Sequence, residues 1–412
     1  MAQLNITLNQ EEILQLLSVD HDEAFKKIFT ESLNSLLKVE SQEQLNAAPY
    51  ERTQERTDSR NGYRDRELKT RIGTITLHVP RHREQPFKTM IFENYSRSEA
   101  ALIASMAEMV VNGVSTRKVS QIMETLCGTS YSKSAVSDLC RELDNEVTRF
   151  RERPLEGGYP FVTVDATYFK TRESHRIVSK AFMIAYGTKC DGHREILGFS
   201  IYHNETTDTW TDFLSSLKKR GLRDILMITS DAHEGIRRAI SNVFPGTAWQ
   251  RCQFHFSRNI SGKTPPKYQA GISSELTEMF NAKNMDEAIK KRDSIIADYR
   301  EIAETAVECL EEGFDSAMTV MMLPKALYRQ YRTSNHIERL NRELKRRSKV
   351  IGVFANCESI IRLMGSVLIE FNEKLITGKR IFSEDTYKRI VSSDLPEKLK
   401  VTAMEQQKLQ KA

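Results

Sequence analysis

The chain has 412 residues, of which 28% are charged and 39% hydrophobic, and carries a formal net charge of +5. This suits a globular protein of about three domains, slightly lean in apolar residues, and no run approaches the ~18 uninterrupted apolar residues of a membrane span. The start, MAQLNITLNQEEILQLL, lacks the regions of a signal peptide, and six scattered cysteines (127, 140, 190, 252, 309, 357) without a CxxC pair read as reduced thiols of a cytoplasmic protein, not a disulfide frame or a four-ligand zinc site.

Residues 8–40 read as a helix, with Ile13, Leu14, Leu16, Leu17, Phe25, Ile28, Phe29, Leu33, Leu36 and Leu37 near helical spacing. The arginine-rich stretch ERTQERTDSRNGYRDRELKTR leads into IGTITLHVPRHR. There Ile72, Thr74 and Thr76 alternate with Gly73, Ile75 and Leu77, predicting a short strand ended by Pro80. Residues 51–88 therefore read as a small basic module or an extended arm. Residues 96–147 return to helix. SRSEAALIASMAEMVVNG closes on Gly113 as C-cap, and the next helix starts from Ser115 as N-cap. A third helix begins at Ser132 or Ser134. Helices joined by a short Gly-containing turn, with Ser and Lys at a helix start, resemble a helix-turn-helix.

The pattern changes after Pro154. YPFVTVDATYFK (159–170), IVSKAFMIAYGTK (177–189) and EILGFSIYH (195–203) read as strands. TTDTWTDFLSSLKKRG (206–221) reads as an amphipathic helix, RDILMITSDAHEG (223–235) as an apolar strand running into polar residues, IRRAISNVFP (236–245) as a helix, and TAWQRCQFHF (247–256) as a fifth strand. The order β-β-β-α-β-α-β is that of an α/β core. SGKTPPK lacks the GxxxxGK[ST] spacing of a P-loop, so no nucleoside triphosphate is implied. Residues 269–330 are helical in pattern, a basic helix in RTSNHIERLNRELKRRSKVIGVF follows, and the tail after about 385 reads as charged and frayed.

Three acids stand out. Asp165 ends the apolar run FVTVD, and Asp231 ends ILMITSD. Singly, such residues cap or turn. If the first and fourth strands are parallel neighbours, the two lie side by side at the carboxyl ends of strands, where α/β sheets collect ligands. Two such carboxylates repel unless a cation joins them, and oxygen-only donors favour Mg²⁺ or Mn²⁺ over zinc. Glu338 sits among Arg332, Arg339, Arg342, Lys345, Arg346, Arg347 and Lys349. It follows Asn335 by three residues, the spacing of a capping box; the other reading is a third metal ligand beside bound nucleic acid.

At these residues a family comes into view. The strand order with Asp, Asp and a late Glu resembles the RNase H-like core of DDE transposases and integrases. More closely, the chain resembles the Mutator-like transposases of bacterial insertion sequences, the insertion sequence 256 family. RNGYRDRELKTRIGTITLHVPR, VDATYFK, TSDAHEGIRRAI, WQRCQFHFSRN and SNHIERLNRELKRRSKVIGVF carry the resemblance, from about residue 60 to 355. The resemblance implies metal ligands at Asp165, Asp231 and Glu338, two Mg²⁺ or Mn²⁺ ions, and DNA cleavage and strand transfer through a circular, copy-out paste-in route. It also implies binding of terminal inverted repeats by residues 1–150 and an all-helical insertion before the Glu; pairing two ends in such a reaction calls for at least a dimer on DNA. A non-transposing, repressor-like DNA-binding relative is the alternative; a structure-specific or RNase H-type nuclease is a second rival, against which the basic N-terminal 150 residues argue.

The implied organisation is an N-terminal helical and basic region (1–95), a helix-turn-helix-like domain (96–150), the first part of the core (155–256), the insertion (257–330), the Glu-bearing last part (331–385) and the tail (386–412). Cys252 and His255 form a CxxH, with no second ligand pair at zinc spacing. On a regular strand the two would face opposite sides, leaving His255 at the active site and Cys252 in packing. Trp249 is a core aromatic or a platform for an unpaired base. Arg342, one turn after Glu338, pairs with it or contacts phosphate. Lys345, Arg346 and Lys349 are expected on phosphate, together with Arg64, Arg71, Arg81, Arg117, Lys118 and Lys133 of the N-terminal region.

Overall fold

The structure, a computed structural model, describes residues 21–51, 53, 55–70, 73–89, 100–112, 114–127, 136, 140 and 143–411. The chain divides into two units, Met1–Glu142 and Leu143–Ala412.

In the first unit, helix α1 (His21–Leu45) packs on an antiparallel hairpin of β1 (Arg60–Thr70) and β2 (Gly73–His82). Leu37 of α1, Leu68 of β1, and Ile75, Leu77 and Val79 of β2 form its core. The arginine-rich stretch is thus the outer strand of a hairpin. Pro80 does not end the second strand; it pairs with Tyr63 within the ladder, which a two-stranded ribbon tolerates because each strand has a free edge. Helices α2 (Ala100–Val111) and α3 (Thr116–Cys127) follow, with Met106, Val119, Met123 and Val136 in contact. Ser115 caps α3 by accepting from the Lys118 N–H at 3.3 Å. Gly113, Ser132 and Ser134 lie outside the described residues, as do residues 8–20 of the first expected helix.

The second unit starts with α4 (Leu143–Glu152) and then builds a mixed five-stranded sheet. Strands β3 (Phe161–Glu173), β4 (Arg176–Thr188) and β5 (Arg194–Tyr202) form an antiparallel meander. After α5 (Thr207–Lys219), β6 (Met227–Ser230) pairs parallel to β3; after α6 (Glu234–Val243), β7 (Ala248–Arg251) pairs parallel to β6. The sheet order is β5-β4-β3-β6-β7. Period-two alternation sorts its side chains. Val162, Val164, Ile228 and Trp249 meet α5 and α6 through Trp210, Phe213, Leu217, Ile236 and Ile240. Phe161, Met227 and Ala248 meet later helices through Leu323, Leu327, Tyr331, Leu395 and Leu399. Both faces are covered, which is why these strands read as continuous apolar runs.

The fifth strand is shorter than its sequence suggests. It stops at Arg251, and helix α7 (Gln253–Lys263) starts at once, with Cys252 at its N-cap. α7 packs with α8 (Gln269–Phe280), α9 (Met285–Tyr299) and α10 (Glu304–Met318) around Phe256, Ile272, Leu276, Leu310 and Phe314. Then come α11 (Lys325–Tyr331), α12 (Asn335–Lys349) and α13 (Cys357–Ile376). Between α12 and α13 the chain rejoins β3: Phe354 N–H donates to the Lys170 carbonyl and Arg172 N–H to the Phe354 carbonyl, both at 2.9 Å.

The tail is not frayed. It forms α14 (Glu384–Ser392) and α15 (Leu395–Lys411). Leu395, Leu399, Ala403 and Gln406 recur every three or four residues, giving α15 one inward face. Gln406 accepts from the Trp249 N–H at 2.9 Å and donates to the Trp249 carbonyl at 2.8 Å, pairing with the edge of β7 as a further strand would. Among the described residues, no helix is long and apolar enough to cross a membrane.

Candidate active site

Asp165 lies on β3, and Asp231 directly follows β6. Thr163 and Thr229 are register partners in the parallel ladder, so each Asp lies two residues further toward the carboxyl end. Asp165 Oδ1 accepts from the Ala166 N–H at 2.9 Å, and its Oδ2 accepts from Asn341 Nδ2 at 2.8 Å. Asp231 Oδ1 accepts from the His233 N–H at 3.2 Å as the chain turns into α6. Burial, and then the Asp231 carboxylate, push the Asp165 carboxyl up to about 7; His255 and the Ala166 N–H pull the other way. Glu205, before α5, adds further negative charge there.

Glu338 reaches the site through a series of fastenings. The Thr229 hydroxyl donates to the Tyr331 carbonyl at 3.0 Å, and the Gln253 N–H to the Arg332 carbonyl at 2.9 Å. The Ser334 N–H and hydroxyl approach Cys252 Sγ at 3.3 and 3.2 Å. These contacts place α12 at the ends of β6 and β7. Its N-cap is Ser334 and its first residue Asn335, so Glu338 lies one position too deep for the capping box that the spacing suggested. The carboxylate instead points to His255, with Nε2–Oε1 at 3.8 Å, and also accepts from the Ser334 hydroxyl at 3.3 Å.

Cys252 and His255 do not face opposite sides of a strand. At the N-cap and first turn of α7 they fall on the same side, because three residues make nearly one helical turn. Cys252 Sγ, an imidazole nitrogen of His255 and a Glu338 oxygen lie within 4.8 Å of one another, the one such trio of potential ligands among the described residues. Asp165, Asp231 and Glu338 are not gathered that tightly. Burial works against ionising Cys252, but His255 and Ser334 bring its thiol below the ordinary range. Cys252, with Asp165 and Glu338 beyond it, holds the His255 imidazole up at about 9 against the effect of burial.

Trp249 is not an exposed stacking platform. It is 3% exposed in the sheet core, donates from Nε1 to Ser230 Oγ at 2.9 Å, and lies beneath the Arg237 guanidinium. Ile337, Leu340, Asn341, Leu344 and Arg347 form the inward face of α12; Arg339, Arg342, Lys345, Arg346 and Lys349 are exposed. Glu343 engages Arg346 and the buried Arg347. Among the described residues Arg342 makes no ion pair with Glu338, which turns to His255 instead. In the first unit Arg64, Arg81, Arg117 and Lys118 are exposed, while Arg71 and Lys133 lie outside the described residues. Asn341, Ser334 and Glu205 join the site without any mark of it in the motifs that carry the acids. Asn341 follows Glu338 by three residues, a spacing that puts the two on neighbouring helix positions and was the available signal.

Comparison with known proteins identifies the kind of protein carrying this site. The profile of a family described as "Transposase, Mutator family" matches residues 1–378. The chain belongs to that family. It is 40% identical over 384 residues to the transposase for insertion sequence element IS256 in transposon Tn4001 of Staphylococcus aureus, covering 92% of this chain and 98% of that one. It is 36% identical over 367 residues to the transposase for insertion sequence element ISRM5 of Rhizobium meliloti, covering 89% and 92%. It is 34% identical over 374 residues to the transposase for IS1081 of Mycobacterium tuberculosis, covering 89% and 90%.

Proposed function

We propose that this protein is the transposase of a bacterial insertion sequence, cutting DNA at the element's ends and joining them to a target by phosphoryl transfer. One observation carries the reading: Asp165 on β3 and Asp231 just after β6 each lie two residues beyond a register pair of neighbouring parallel strands, and Asn341, one turn beyond Glu338, bonds Asp165. The sheet order, with its first strand central and its last two strands parallel to it, supports an RNase H-like core.

The residues fit a hard divalent ion. Asp165 is held near 7 by burial and by Asp231, and a cation between the two carboxylates would relieve that repulsion. The donors of Asp165, Asp231 and Glu338 are all oxygens, suited to Mg²⁺ or Mn²⁺. Two ions held by these residues would supply charge stabilisation for the attacking and leaving oxygens of an in-line displacement. The chain's own groups prepare that displacement. Asn341 fixes one oxygen of Asp165, and His255, protonated near neutrality, offsets the charge of Asp165 and Glu338. Arg339, Arg342, Lys345 and Lys349 present positive charge from the outer face of α12 to a DNA backbone. Water attacks first and frees a 3′-hydroxyl, which then attacks a second phosphodiester; no side-chain nucleophile is needed. Arg64, Arg81, Arg117 and Lys118 serve recognition of terminal inverted repeats, and coupling two ends calls for a dimer or higher oligomer. The copy-out, paste-in route through a circle is part of this proposal.

The test is Mg²⁺-dependent nicking and end joining on the element's own ends, with the native chain and with Glu338→Gln. Activity in the first alone, with equal DNA binding, supports the proposal. Equal activity in both removes Glu338 from the site. DNA binding without cleavage in either favours the repressor-like relative.

A further inference from the structure

The Cys252, His255 and Glu338 trio differs in chemistry from the acidic pair. It offers a thiol, an imidazole and a carboxylate, the mixed donor set of zinc sites with three protein ligands. Cys252 and His255 are supplied by one helix turn and Glu338 by another helix, so the fold itself gathers them. The His255 Nε2 to Glu338 Oε1 distance is 3.8 Å, and zinc bonds of ~2.0–2.1 Å in a tetrahedron need about 3.4 Å. A small side-chain movement closes that gap.

A further feature points to an ion. The Cys252 sulfur is approached by the N–H and hydroxyl of Ser334, the outer hydrogen bonds that orient a metal ligand. In sequence, zinc is disfavoured because CxxH has no second ligand pair; here a single carboxylate from a distant helix completes three ligands and leaves a fourth position open.

We infer that Cys252, His255 and Glu338 form a binding site for Zn²⁺ or a similar borderline divalent ion, distinct in donor chemistry from the oxygen-only site. Mg²⁺ does not favour thiolate and imidazole, so it does not fill this site. Resting on the functional proposal above, the consequence is antagonism: zinc held here takes Glu338 away from the catalytic ions.

The test is cobalt(II) titration of the full-length, reduced, metal-free protein without DNA. The expected result is a near-ultraviolet thiolate-to-cobalt band with intense visible bands of four-coordinate cobalt, saturating at one ion per chain and displaced by Zn²⁺. The thiolate band should vanish in Cys252→Ser and persist in Asp165→Asn. Absence of the band in the native chain, or its persistence in Cys252→Ser, overturns the inference. Should circular dichroism show Cys252→Ser unfolded, His255→Gln decides. Its cobalt affinity should fall by at least the ~10–100-fold typical of losing even an outer-shell partner, and unchanged affinity overturns the site. The titration needs neither DNA nor turnover, so its failure leaves the phosphoryl-transfer reading to be judged separately by nicking in Glu338→Gln.

Discussion

Asp165 and Asp231 are aligned by a backbone ladder, whereas Glu338 is carried in by turn carbonyls, a serine and a cysteine sulfur. The ladder fixes where the two carboxylates lie; burial, and then repulsion by Asp231, hold Asp165 near 7. The helix-borne Glu338 has His255 to turn to. Two internal strands thus bring a pair of carboxylates together, and a separately fastened helix brings in the residue with a choice of partners.

The largest expected effects test whether the two halves form one catalytic unit. Asp165→Asn and Glu338→Gln should each lower nicking about a thousandfold or more, since metal-assisted charge stabilisation is worth several kcal/mol and each ~1.4 kcal/mol is a factor of ten. A large loss in only one would separate the halves. Asp165→Asn also has a stability signature. The folded chain binds the Asp165 proton more tightly than the unfolded chain, whose value is 3.8. The metal-free native state therefore loses stability as pH rises from about 4 through about 7. Asp165→Asn should melt higher than the native chain at pH 8 and no higher at pH 3, checked by thermal denaturation without divalent ions.

The next effect probes what holds the ladder itself. Gln406 fills the backbone edge at Trp249, and Trp249 Nε1 bonds Ser230, the residue before Asp231. Gln406→Ala should cost about 1–3 kcal/mol by urea denaturation, the penalty of a buried unpaired group. No loss would show that the edge is not sealed by this residue. Asn341 joins the halves directly. Removing its bond to the Asp165 carboxylate, a charge-assisted contact of ~1.5–3 kcal/mol, should raise the half-saturating Mn²⁺ concentration about tenfold in Asn341→Ala. The readout is the metal-dependent shift in melting temperature. The smallest effect belongs to the outer face of α12: Lys349→Ala should reduce the slope of log affinity against log salt by ~0.9 if Lys349 meets one phosphate, with little change in metal binding.

Much of this was legible in the chain. Val162, Val164 and Ile228 announce buried strands, and the Asp at each run's end lies just past the last pair of the parallel β3–β6 ladder. The α12 pattern, Ile337, Leu340 and Leu344 inward against Arg342, Lys345 and Lys349 outward, is written in helical spacing. Other readings failed where a local pattern had two physical solutions. QRCQFHF continues an apolar strand until one sees that β7 ends at Arg251 and that Cys252 starts a helix. Trp249 has both a core reading and a stacking-platform reading in the sequence, and its neighbours decide for the core.

The sequence by itself determined the order of most strands and helices and where basic charge lies on α12, because these depend on residues a few positions apart; the ends of β2 and β7 and the helices of the tail it did not. Only the tertiary structure decided that β6 runs beside β3, that Glu338 meets His255 and Cys252, that Asn341 bonds Asp165, and that the tail seals the sheet at Trp249. Those contacts join residues far apart in the chain, and they are set by which faces bury together and by which backbone groups must find partners once water is excluded.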